Sequence, residues 1–191
     1  MSASKRVTRR CPGAPAEPLR VLMICYEYPP LGGGTAAACS YLLSEMMRHD
    51  DIQIDLVTSG TSSRIELVDL APHIRIHRLP VAKRDLHYWG PGELVEWTWR
   101  ALPYPRQLTR GRRFDVSHCW ASWPSGVIGW QLRRRLPYIV SLRGSDVPGY
   151  NDRLKWLDPI AFRPLVRRGG AHGRRDVVRP VAVVGDAERR A

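Results

Sequence analysis

Hydrophobic positions along this chain change period several times, and each change predicts an element. Residues 19–25 (LRVLMIC) form a nearly unbroken apolar run, which suits a strand covered on both faces in a parallel sheet. The stretch that follows, YEYPPLGGG, holds Pro29, Pro30 and the consecutive Gly32, Gly33 and Gly34, and reads as a loop. From Thr35, which suits an N-cap, the apolar positions shift to Cys39, Leu42, Leu43 and Met46, the spacing of an amphipathic helix. Ile52, Ile54 and Leu56 then alternate with polar partners and end at Thr58-Ser59-Gly60, a second strand and a turn. Ile74 and Ile76, interleaved with Arg75 and His77, predict a weaker strand suited to a sheet edge. Pro91, Pro103 and Pro105 bound a short helix near 92–101, in a stretch that carries Trp89, Trp97 and Trp99. Residues 114–119 predict a strand, 124–135 a helix opened by Pro124, and 138–142 a further strand. Strands and helices alternate, so the fold class is α/β with a doubly wound parallel sheet.

The two ends depart from this pattern. Residues 1–18 are rich in Pro, Ala, Ser and basic side chains and predict a disordered basic leader. After Asp158-Pro159 a helix can run through Leu165 and Val166, but 167–191 lose periodicity and carry a heavy arginine load, an aberrant tail expected to be disordered. One domain over 19–166 lies between them.

Charge refines the picture. The chain of 191 residues has a net charge of +12. Residues 1–18 contribute four basic side chains against one Glu, and 161–191 eight Arg against three acids, which leaves +4 for 19–160. The basicity sits mostly at the ends, so nucleic acid is not the expected partner. No apolar run approaches the roughly 18 residues of a membrane span, and the start lacks the apolar stretch of a secretory signal, so a cytoplasmic location is the default expectation. Cys11, Cys25, Cys39 and Cys119 form no CxxC pair and read as buried free thiols, and no carboxylate pair with ligand spacing implies a metal.

The glycine loop carries the chemistry. A glycine-rich turn between a first strand and a helix start presents backbone amides at the positive end of the helix dipole, which suits a phosphate or diphosphate. The alternative is that Gly32, Gly33 and Gly34 only permit a tight connection. A dinucleotide fingerprint fails, because Thr35 and Ala37 break the glycine spacing and Asp55 lies inside the second strand. A Walker loop fails because no Gly-Lys-Ser/Thr follows.

Three segments in order carry a resemblance: residues 26–34 (YEYPPLGGG), FDVSH at 114–118 with WPSG at 123–126, and SLRGSDVPG at 141–149. Together they resemble the N-terminal, Rossmann-like domain of glycosyltransferase family 4, the retaining GT-B enzymes that use nucleotide-sugar donors. The resemblance covers 19 to about 166. It implies that Gly32, Gly33 and Gly34 face a cleft near the sugar diphosphate and the acceptor, a glycan, lipid-linked or small molecule. It also implies substrate contacts at His118, Trp120, Arg143, Gly144 and Asp146, no cofactor, and no assigned catalytic residue. Local readings stand beside these roles: a backbone-satisfied His118, a core Trp120, an Arg143 paired with Asp146, and an Asp146 capping the Val147-Pro148-Gly149 turn. Arg143 stands where many relatives have histidine, and its guanidinium suits holding a phosphate oxygen rather than moving a proton. Glu27, on the same edge, suits orienting the glycine loop.

Family members have a second domain that supplies most of the nucleotide pocket. The expectation is therefore a half-enzyme, inactive or nearly so alone, its end altered by a frameshift, with a natural short paralogue or a paired subunit as alternatives. A non-catalytic sugar- or phosphate-binding module is the rival reading. The tryptophan-rich stretch with Lys83, Arg84, Arg100 and Arg106 suits peripheral contact with an anionic membrane, or else covers the sheet.

Overall fold

The structure, a computed structural model, describes residues 17–142; the leader, the tail and the segment holding Arg143, Gly144 and Asp146 lie outside them. The described residues form ten elements, eight where the periodicity predicts them and two, β3 and α3, that it did not mark: β1 (Leu19–Ile24), α1 (Gly34–Met46), β2 (Ile52–Gly60), β3 (Glu66–Ala71), β4 (Ile74–Pro80), α2 (Pro91–Ala101), α3 (Pro103–Gly111), β5 (Val116–Trp120), α4 (Ser125–Leu132) and β6 (Tyr138–Ser141). They build one six-stranded sheet in the order β3-β4-β2-β1-β5-β6, parallel throughout except where β3 pairs antiparallel with β4.

Helices cover both faces, which makes the sheet doubly wound as expected. On one face Cys39 and Leu43 of α1 pack with Met23, Cys25, Ile54, Leu56, Ile74, Ile76 and Trp120. On the other, Trp97 and Ala101 of α2 and Ile128 and Leu132 of α4 pack with Leu22, Ile24, Val57 and Leu79. The central strands β1 and β2 are buried from both sides, and this explains why residues 19–25 read as a continuous apolar run. Cys25, Cys39 and Cys119 are buried free thiols, as the apolar surroundings in the sequence predict. Burial pushes the Cys119 thiol up to about 12 and raises Cys25 well above its ordinary value, so neither is a nucleophile at neutral pH.

The structure corrects two expectations, the edge position of β4 and the N-cap of α1. β4 is not an edge: it lies between β2 and β3, and β3, whose residues are mostly exposed, takes the edge. The polar residues that made β4 look peripheral are paired with neighbouring side chains, Arg75 at the surface and His77 in the interior. Arg75 pairs with Asp69 of β3 at 2.6 Å, while buried His77 joins Asp55 at 2.6 Å and the Tyr104 hydroxyl at 2.9 Å. The helix expected near 92–101 is α2, which ends at Ala101 before Pro103, and Pro103 also opens a further helix, α3, because proline is compatible with a first helical turn. Thr35 is not the N-cap of α1; the helix starts one residue earlier, at Gly34, with Gly33 as cap. A bulge between Asp69 and Ala71 shifts the β3–β4 register.

Three tryptophans near α2 divide their duties. Trp97 is fully buried, and Trp89 packs edge-on to Tyr26 with centroids 5.2 Å apart, so both cover the sheet. Trp99 is 71% exposed. The start of α2 is fixed by Glu93, whose carboxylate accepts hydrogen bonds from the amides of Gly90 (2.9 Å) and Arg84 (3.0 Å) and pairs with Lys83 at 2.8 Å. Lys83 also donates to the Tyr88 carbonyl and stands 4.0 Å over the Trp89 ring. No described helix is long and apolar enough to cross a membrane.

Replacing Trp97 with Ala is expected to destabilise the fold by about 3–5 kcal/mol, because the cavity left cannot collapse within the sheet–helix core. Trp99→Ala should shift the denaturant midpoint little; comparable losses for the two would contradict the burial difference. Lys83, followed by the Gly90 and Arg84 amides, holds the Glu93 carboxyl down at about 2 from an ordinary 4.5. A depressed carboxyl stabilises the fold above its unfolded value, so this contribution should fade as pH falls from about 4.5 towards 2. Glu93→Gln should flatten that part of the stability-versus-pH curve, as measured by thermal unfolding across the window.

Candidate functional site

All the parallel strands end on one edge of the sheet, and the loops there converge. The glycine loop leaves β1 at Cys25, whose amide bonds the Val57 carbonyl at 3.1 Å and whose thiol donates to the Glu27 carbonyl at 2.9 Å. Ser59, at the end of β2, donates to the Tyr26 carbonyl at 2.6 Å, and Arg78 of β4 donates to the Pro29 carbonyl at 3.1 Å. Tyr28 and Leu31 pair in a short bridge, with Leu31 buried in the core. The loop is thus fastened to two further strands, β2 and β4, before it reaches the glycines.

The three glycines differ in kind. Gly32 is buried with φ +100°, a left-handed conformation, and a Cβ there would stand 2.7 Å from the Glu27 Cβ and 2.9 Å from its Cδ. What crowds Gly32 is therefore the protein's own Glu27. Gly33 and Gly34 are exposed, and a Cβ on either would meet nothing within 4 Å. Glu27 Oε2 accepts from the Gly33 amide at 3.3 Å, so Glu27 orients the loop as its position predicts. Beyond Gly33, α1 has no acidic residue in its first turn and no side-chain cap, while Ala37 makes the first bond back, to the Gly33 carbonyl. Among the described residues, the opening-turn amides that follow Gly33 are thus left without a capping side chain, on the side where Gly33 and Gly34 are exposed.

A segment that the sequence did not single out braces this loop. Between β4 and α2, Leu86 accepts the Gly32 amide at 2.7 Å, and His87 Nδ1 lies 3.1 Å from the Gly32 carbonyl. With a carbonyl as partner, Nδ1 carries the proton and donates it. Asp85 holds the turn by accepting from the His87 amide at 2.8 Å and the Tyr88 amide at 3.3 Å, and those bonds lower its carboxyl pKa. The Asp-x-His-Tyr spacing is the local signal for such a turn, but nothing in it indicates that its partner is a loop fifty residues earlier.

On the adjacent strand β5, His118 lies half-buried with Nε2 2.7 Å from Ser141 Oγ at the end of β6. Trp120 is 1% exposed, part of the core beneath α1, with its ring 5.6 Å from that of His118. Directly after it, Ala121 adopts φ 77°, the one non-glycine residue with positive φ among those described. Its amide donates to the Ser141 carbonyl at 2.9 Å and its carbonyl accepts from Gly126 at 3.1 Å, contacts that hold the strained conformation in place. Gly32, Gly33, Gly34, His118 and Trp120 thus gather at the carboxyl edge of two neighbouring strands, β1 and β5. Arg143, Gly144 and Asp146 follow β6 in sequence and lie outside the described residues. Among the described residues no group of three His, Cys, Asp or Glu side chains is placed to hold a metal ion.

An open parallel sheet binds ligands beyond the carboxyl ends of its strands, and that is the edge these loops build. Among solved structures, sucrose-phosphate synthase from Thermosynechococcus elongatus matches with a TM-score of 0.51 at 20% identity, over 65% of this chain and 33% of that one. The chain thus spans about a third of the length of that enzyme. A second structure of the same name and organism matches at 18% identity with a TM-score of 0.44, over 66% of this chain and 65% of that one. No curated protein matches the sequence. The sequence matches the glycosyl transferase 4-like domain over residues 33–190, which is most of its length. The strand–glycine loop–helix edge therefore belongs to a Rossmann-like GT-B domain, and this chain is a member of the glycosyl transferase 4-like family.

Proposed function

We propose that residues 19–166 are the acceptor-side domain of a retaining glycosyltransferase that moves a sugar from a nucleoside-diphosphate donor to a glycan, lipid-linked or small-molecule acceptor. The observation that carries this reading is the open space in front of Gly33 and Gly34, at the opening turn of α1, which has no capping side chain among the described residues. As the bond to the anomeric carbon breaks, negative charge grows on the leaving diphosphate. Amides already aimed outward at a helix N-terminus stabilise that charge with no reorganisation. Arg143 adds a guanidinium for a phosphate oxygen, Asp146 a hydroxyl contact, and Gly144 a close backbone approach. His118 meets the acceptor or donor from β5, with Trp120 setting its position through ring contact. Glu27 and His87 act on the loop and touch no reacting atom.

A contact with a membrane surface belongs to the same reading, for an acceptor carried by a lipid. It is favoured by the exposure of Trp99 and of Val95 one turn earlier on α2, with Tyr88 67% exposed just before the helix. Co-sedimentation with anionic vesicles should weaken in Trp99→Ala, and indifference to lipid would end this part of the proposal.

Gly34→Ala and Gly32→Ala separate ligand approach from loop construction. Gly34→Ala should leave the unfolding midpoint within about 0.5 kcal/mol of the parent, because its methyl meets no protein atom, yet weaken nucleotide-sugar binding about tenfold in calorimetric titration. Gly32→Ala should cost at least about 2 kcal/mol of stability, from the left-handed φ and the Glu27 contact. Unchanged binding in Gly34→Ala would refute the proposed approach. Donor hydrolysis by the purified chain would support transfer chemistry, whereas saturable binding with no turnover in the whole protein would identify a binding module.

A further inference from the structure

The opposite edge of the sheet, where the parallel strands begin, plays no part in sugar transfer as described. Arg20 lies at the start of β1, Arg110, Arg112 and Arg113 lead from α3 into β5, and Arg135 leads from α4 towards β6. Because β1, β5 and β6 are neighbours in the sheet, these leading segments meet. They enclose a surface cavity of about 400 Å³ lined by Arg110, Arg112, Arg113 and Arg135 over Phe114 and Leu136. A second cavity of about 370 Å³ shares residues 111–114 and adds Arg20 and Asp55.

The cationic side chains there outnumber their counter-charges. Arg112 lies 3.1 Å from Asp55, but that same oxygen also takes His77 at 2.6 Å. Arg113 reaches Asp115 only at 3.9 Å. Arg20, Arg110 and Arg135 have no carboxylate within ion-pair distance among the described residues. Five guanidinium groups around two adjoining concavities repel one another and concentrate positive potential, which an anion entering the cavity relieves. Planar guanidinium forks match phosphate oxygens two at a time, and the cavity is of a size that takes a small phosphorylated ligand.

We propose that the arginine cavity between α3, β5 and the α4–β6 connection is a second, separate binding site for a phosphate-bearing anion. It lies a strand's length, roughly 17 Å, from the glycine loop. Its ligand is thus not the transferred sugar's diphosphate. The phosphate comes either from a soluble phosphorylated compound or from a lipid headgroup.

The full chain is titrated with sodium tripolyphosphate at fixed ionic strength near 0.15 M, beside two variants of equal charge. Arg110→Gln/Arg135→Gln removes two cavity cations that have no carboxylate partner among the described residues, and Arg48→Gln/Arg64→Gln removes two exposed cations elsewhere. Saturable binding that weakens about tenfold or more in the first variant and less than about twofold in the second is the expected result. Equal weakening in both, or no saturable binding by the parent, overturns the site, since the basic ends of the chain then account for the attraction. Phosphatidylglycerol and phosphatidylcholine vesicles distinguish the sources. Sedimentation with the former alone, competed by tripolyphosphate and lost in Arg110→Gln/Arg135→Gln, supports a headgroup; tripolyphosphate binding without sedimentation supports a soluble ligand.

Discussion

Between Glu27 and Gly32 there is no room for a Cβ, and the geometry of the carboxyl edge follows from that contact. The Glu27 side chain fills the space beneath Gly32 and takes the Gly33 amide, which turns the chain abruptly into α1. Gly33 and Gly34 then face outward because Gly32 faces inward. A loop held only by its ends would sample many conformations and lose most of its value as a charge-stabilising surface. Here Ser59, Arg78, Leu86 and His87 each bind a backbone group of the loop, so its amides are aimed before any ligand arrives.

The order of elements was legible in the sequence because a doubly wound sheet writes itself as changes of hydrophobic period. Leu19 to Ile24 could hardly be anything but a buried strand. β3 was not legible: Glu66 to Ala71 have mostly exposed side chains, so no alternation marks them, and their strand character comes from backbone pairing with β4. β4 misled for a related reason. Polar residues on a strand look like solvent contacts, and the Asp55–His77–Tyr104 network that buries one of them is assembled from residues far apart in the chain.

At the site the same limit applies at closer range. The glycine run announced a special backbone, but one sequence pattern held two physical causes, an internal clash at Gly32 and an external opening at Gly33 and Gly34. Only geometry separates them. Trp120 illustrates the converse, since an aromatic residue at a strand end fits a ligand platform and a core position equally well until its burial is known. His87 was invisible because its partner is the Gly32 carbonyl, and a contact with backbone leaves no trace in the partner's identity.

The outer strand of the sheet has a consequence for how copies of this protein meet. β3 offers Leu67 and Val68 to solvent, an invitation to pairing with a neighbouring molecule. Glu66 and Asp69 flank them with carboxylates, and the irregularity between Asp69 and Ala71 breaks the even spacing that an incoming backbone needs. A second molecule approaching in extended form would meet charge and a misaligned ladder. Among the described residues, charge and an irregular ladder thus guard the border of β3 against strand pairing.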